Sequence, residues 1–217
     1  MDETSASLSR EWEVLQSGID ACSCQNHSCF DVKTGQRAAR PLPPTNRGGL
    51  LLLAEAPPPE GGFWNARADD DLRLNLLGML TQGSDALAAF LNAGFSLVHT
   101  LKWPLVRRAG KRLNYVRLKP KEKREMVEHA VTHLRDEIRL LKPRAILAMG
   151  AAAWHASLRL TSHDHEYPDR VEAARERPPH DYSLVLDHPI PLHVTLLPVA
   201  QNVGLKKETR MDRQGYS

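Results

Sequence analysis

The segment Lys142-Pro143-Arg144-Ala145-Ile146-Leu147-Ala148-Met149-Gly150-Ala151-Ala152-Ala153 changes character three times. Pro143 ends any helix before it, because its ring clashes with the preceding turn. Five apolar residues follow without polar alternation, which suits a strand covered on both faces. Gly150 breaks that strand, and the alanine-rich run after it predicts a helix over Ala151–Leu158. A doubly covered strand feeding a helix is the repeating unit of a parallel sheet.

Working outward, Pro120–Leu141 carries Val127, Val131, Leu134, Ile138 and Leu141 at alternating spacings of four and three. That pattern predicts a long amphipathic helix, opened by Lys119-Pro120 and closed by Pro143. Leu50–Ala54, Phe95–His99 and His193–Leu197 are further runs of strand length. Residues 71–80 and 84–92 are helical in pattern and lie between the first two runs. Right-handed crossovers put such helices on both faces of the sheet. The expected fold is an α/β, three-layer αβα sandwich with a central four-stranded parallel sheet. Residues 1–20 predict a helix with Trp12, Leu15 and Ile19 on one face. Residues 21–48 hold the cysteines, Pro41-Leu42-Pro43-Pro44 and Gly48-Gly49. Residues 1–48 are therefore an N-terminal helix and irregular arm packed on the core, and 49–217 the α/β domain. Thr161–Tyr182 reads as a polar, proline-rich loop, including His163, Asp164, His165 and Glu166.

The chain has 217 residues, 41% of them hydrophobic and 25% charged. That suffices for a core without disulfides or metal, and excludes disordered and fibrous classes. The longest apolar stretch, around Leu50–Leu53, is too short to cross a bilayer. The polar start Met1-Asp2-Glu3-Thr4 carries no secretory pattern. A cytoplasmic monomer that does not engage membranes is expected. Net charge is only +3, yet residues 101–124 hold ten basic residues and one acid, Glu122. Such a run can neutralise phosphates, or can be a solvated loop. Cys22, Cys24 and Cys29 flank His27, but their spacing is tighter than that of paired zinc knuckles. They are read as reduced thiols in a surface segment, with no metal.

Ligands of open parallel sheets sit beyond the carboxyl ends of the strands. After the first strand come Glu55-Ala56-Pro57 and then Gly62-Phe63-Trp64; after the second come His99-Thr100-Leu101-Lys102-Trp103-Pro104 and the basic run. Gly150 follows the third, and Pro198-Val199-Ala200-Gln201-Asn202-Val203-Gly204-Leu205-Lys206-Lys207 follows the fourth. Leu51-Leu52-Leu53-Ala54-Glu55-Ala56-Pro57, Val98–Pro104 and the stretch from Leu134 through Ala153, in this order, resemble the uracil-DNA glycosylase superfamily, and specifically its thermophile-type iron–sulfur branch.

The resemblance implies a domain that flips a nucleotide out of DNA and hydrolyses the bond between base and sugar. Glu55 would orient water and stabilise the cationic sugar, with Asn202 as a second catalytic residue in the last motif. Phe63 or Trp64 would stack on the base, His99 would face its edge, and Pro57 would join them in binding it. Lys102, Arg107, Arg108, Lys111, Arg112, Lys206 and Lys207 would hold phosphates of damaged or single-stranded DNA. Three departures stand out. His99 replaces the branch's uracil-reading asparagine, and Leu197-Pro198-Val199 replaces its His-Pro-Ser. Trp103 and Ala130 stand where its later cluster cysteines would be, so no cofactor is expected and an iron–sulfur cluster least of all. His188-Pro189 precedes the fourth strand and reads as a turn. The competing functions are a catalytically silent binder of nucleic acid or a base, and a nucleotide-binding hydrolase.

Overall fold

The computed structural model describes residues 3–30, 41–58, 62–64, 70–80, 85–108, 111–112, 114–161, 167–176 and 182–196. The helices are α1 (Glu3–Asp20), α2 (Asp71–Leu80), α3 (Ala86–Asn92), α4 (Pro120–Leu141), α5 (Ala151–Leu158) and α6 (Val171–Arg175). The strands are β1 (Leu50–Ala54), β2 (Ser96–His99), β3 (Arg107–Arg108), β4 (Lys111–Arg112), β5 (Ala145–Met149), β6 (Ser183–Val185) and β7 (Pro189–Thr195). The main sheet runs β2-β1-β5-β7-β6. Its first four strands are parallel, as expected, and β6 adds a fifth, antiparallel edge strand. The fourth parallel strand starts at Pro189, ahead of the expected His193. Its leading half pairs with β6, so His188 lies between the two strands of a hairpin. The segment expected as a loop also holds α6, whose Val171 and Ala174 are buried with Tyr182.

Strand alternation sorts the core into two clusters. Leu51 and Leu53 face one side, where α1, α4 and α5 contribute Trp12, Leu134, Ile138 and Trp154. Leu52 and Ala54 face the other, with Leu72, Leu76 and Phe90 of α2 and α3. Burying each large apolar side chain contributes about 1.5–3 kcal/mol. The long helix follows its sequence signals. Lys119 N–H donates to Glu122 Oε2 at 2.8 Å at the amino end, and Lys142 takes a left-handed conformation before Pro143. Its buried stripe includes one anomaly, Glu137, which is fully buried.

Close approach fixes Gly49. A Cβ on Gly49 would lie 1.6 Å from Gly94 O, so β1 and the turn before β2 can meet only there without a side chain. The arm is held by Trp12, whose indole N–H donates to Pro41 O at 2.7 Å, and by an isolated bridge between Phe30 and Leu105. Cys24 and Cys29 are buried in the core cluster, contrary to the expected surface segment, because the arm folds down onto α4. Among the described residues no helix is long and apolar enough to cross a membrane.

Candidate active site

The strand register sets the site. Ala54 pairs with His99, and Met149 with Thr195, so the residues after them emerge along one edge of the sheet. β1 leads to α2 and α3 on one face, while β5 leads to α5 on the other. Neighbouring strands whose connections leave to opposite faces open a crevice between them. Glu55 stands at the head of β1 beside that crevice, and Gly150 at the head of β5.

Glu55 is held by the chain before α4. The Tyr115 backbone N–H donates to Glu55 Oε1 at 2.8 Å. Burial pushes the Glu55 carboxyl up, while the Tyr115 bond and the Lys123 charge pull it back. A carboxylate so placed is oriented, partly desolvated and a stronger proton acceptor than an exposed one.

Tyr115 is itself fixed. Its hydroxyl lies 2.9 Å from His155 Nδ1, and His155 Nε2 lies 2.9 Å from the Asp169 carbonyl oxygen. A carbonyl can only accept, which assigns the proton to Nε2 and makes Nδ1 the acceptor from Tyr115. Burial first lowers the His155 pKa, in keeping with a neutral ring. Burial and then the Glu55 charge push the Tyr115 phenol up. Tyr115 and His155 form one wall of a cleft of about 430 Å³, with Lys123, Arg124 and Arg159 around it. The Lys123 ammonium stands 5.6 Å from the centre of the Tyr115 ring. The cleft thus joins an aromatic wall to several cations, with Glu55 bonded to the backbone of that wall.

The other expected residues are placed differently. Phe63 is fully buried on the α2/α3 face, against Trp64 at 4.8 Å and Phe90 at 5.5 Å between ring centres. Arg73 donates to Phe63 O and lies 5.9 Å from its ring. Pro57 is buried and Trp64 half-buried. The Trp64 indole N–H and the Thr100 hydroxyl are buried without a hydrogen-bond partner among the described residues. His99 is buried, its pKa lowered to about 3 by burial and then by Lys102.

Lys102 departs most from expectation. Its side chain is 8% exposed, and its ammonium donates to Glu137 Oε2 at 2.5 Å and His99 O at 2.6 Å. Burial pushes the Glu137 carboxyl up, and the Lys102 charge pulls it back. An ammonium committed to a buried carboxylate is not available to a phosphate, so Lys102 is corrected from the DNA set to the core. Arg107, Arg108, Lys111 and Arg112 form the antiparallel β3–β4 ribbon. Asn202, Lys206 and Lys207 lie outside the described residues.

Sequence reasoning missed Tyr115, His155 and Arg159. Only Lys123 and Arg124 carried a signal, as members of the basic run. Tyr115 acts on Glu55 through its backbone, which leaves no mark in residue type. No curated protein matches the chain. The family model described as the Uracil DNA glycosylase superfamily matches residues 51–199, which span β1, Glu55, α4, β5 and the cleft. The chain belongs to the uracil DNA glycosylase superfamily.

Proposed function

We propose that this protein is a DNA glycosylase that flips a deaminated base, uracil or a relative, out of DNA and hydrolyses its N-glycosidic bond. The observation that carries this reading is Glu55. It is a partly desolvated carboxylate at the head of a central strand, oriented by the Tyr115 N–H beside a cationic cleft. In the reaction, water oxygen bonds to the sugar C1′, the C1′–N bond breaks, and the electron pair leaves with the base. Glu55 orients that water, accepts its proton and offsets the positive charge developing on the sugar. Lys123, Arg124 and Arg159 supply cations suited to phosphates flanking the flipped nucleotide.

A second reading, a catalytically silent binder, is favoured by one observation. Phe63 and His99, the residues expected to stack on the base and meet its edge, are both buried.

Incubation of excess protein with oligonucleotides bearing uracil, hypoxanthine or xanthine, followed by alkaline cleavage, separates the two. Abasic sites at one of these bases support the glycosylase. Binding of the same oligonucleotides with none of the three excised supports the silent binder.

A further inference from the structure

Cys22, Cys24 and His133 come together from two distant parts of the chain. Cys22 and Cys24 flank the start of the 3-10 turn Ser23–Asn26, and His133 lies midway along α4. Cys24 Sγ is 2.7 Å from Cys22 Sγ and 3.3 Å from His133 Nε2. The donor atoms of all three lie within 4.8 Å of one another. None of the cysteines is in a disulfide. Two sulfurs on one tetrahedral zinc ion sit roughly 3.8 Å apart, given Zn–S bonds of about 2.3 Å. The sulfur–sulfur separation is thus about an ångström short of that spacing, and the Cys24–His133 separation is about half an ångström short of it. The surroundings match, with Trp103 packed edge-on to His133 at 6.3 Å between ring centres and Phe30 against Trp103 at 5.4 Å. Such an apolar shell limits solvent access to the site.

We infer that Cys22, Cys24 and His133 bind a single thiophilic divalent cation of the zinc class, which clamps the N-terminal arm to α4. Two thiolates and an imidazole are the donors such an ion prefers over harder metals. A fourth position is left to water. The adjoining cavity is only about 10 Å³, and Trp103 and Ala130 bring carbon to its lining. That suits one ion and not a multi-iron cluster. The ion would tie together residues 109 positions apart, so its binding adds to folding stability. His27 has another role, with Nε2 3.3 Å from Glu125 and Nδ1 accepting from Cys29 N–H.

The test is a cobalt(II) titration of the reduced, chelator-stripped full chain, read by thiolate charge-transfer and ligand-field absorption, with zinc competition. The expected result is one equivalent bound and displaced by zinc. Affinity should fall at least about tenfold in Cys22→Ser and His133→Ala, on the scale of lost supporting contacts, and be retained in His27→Ala. Circular dichroism of each variant separates loss of a ligand from loss of fold. The proposal is overturned if the folded wild type gives no such bands. Unchanged affinity in folded Cys22→Ser or His133→Ala also overturns it. So does a Cys22–Cys24 disulfide in protein isolated without reductant, or iron–sulfur absorption in protein as purified.

Discussion

Lys102 and Lys123 belong to the same run of basic residues, yet the fold sends them to opposite fates. Lys102 follows β2 directly and is drawn inward onto Glu137 of α4. Lys123 sits in the first turn of α4 and stands over the Tyr115 ring at the cleft. Distance from the strand end makes the difference. The chain leaving β2 must first close the sheet edge, where a buried charge needs a buried partner. Around the Tyr115 turn, Asn114, Val116 and Arg117 are already exposed. A run of cations in sequence is thus two things in space, a structural bolt and an open electrostatic surface.

The largest expected effect breaks the bolt. Glu137→Ala leaves the Lys102 ammonium buried and unpaired, and should cost about 3–5 kcal/mol in urea unfolding. The double variant Lys102→Met/Glu137→Leu removes both charges and should recover most of that loss. A double variant no more stable than Glu137→Ala would show that the pair does more than satisfy itself.

The open half should behave in the opposite way. Lys123→Ala and Arg124→Ala should change stability by no more than about 0.5 kcal/mol. Each should weaken binding to a single-stranded oligonucleotide and lower the salt slope by about 0.7. Unchanged DNA affinity and slope would return this cleft to a solvated surface.

A smaller effect sharpens the contrast through pH. His99 stays neutral in the sealed region, with its pKa lowered to about 3. The unfolded chain protonates there near pH 6.5, and the folded chain does not. The contribution of His99 to stability is full above that value and is lost as pH falls from it toward about 3, at a limiting slope of about 1.4 kcal/mol per unit. Glu55 and Glu137, whose pKa values are raised, act oppositely, because their folded carboxyls take up protons before the unfolded ones. The comparison with His99→Asn isolates the histidine. The wild-type melting temperature should fall more between about pH 7 and about pH 5 than that of the variant. Equal falls would contradict a buried neutral His99.

The sequence showed the framework because each signal was local. Pro120, Pro143 and the spacing from Val127 to Leu141 bound α4, and the unbroken run Ala145–Met149 marked β5. The start of β7 was not legible, because His188-Pro189 reads as a turn, whereas Pro189 lies where β7 pairs with a short edge strand. Glu137 carried no sequence signal, since its partner lies 35 residues away. Glu55 was legible from its place after a strand. Its orienting contact was not, because a backbone N–H belongs to every residue but proline. The cysteines looked superficial because nothing near them in sequence announces α4 as their neighbour.

The central claim is that Glu55 carries base hydrolysis beside the open half of the basic run. Single-turnover excision by wild type and Glu55→Gln, on the base the wild type removes best, tests it most directly. The amide keeps the side chain's shape and can still accept from Tyr115 N–H, but it cannot take a proton from water or balance a cationic sugar. Excision should slow by about 10²- to 10⁴-fold while oligonucleotide binding stays within a few-fold. Excision by Glu55→Gln at the wild-type rate would contradict the account.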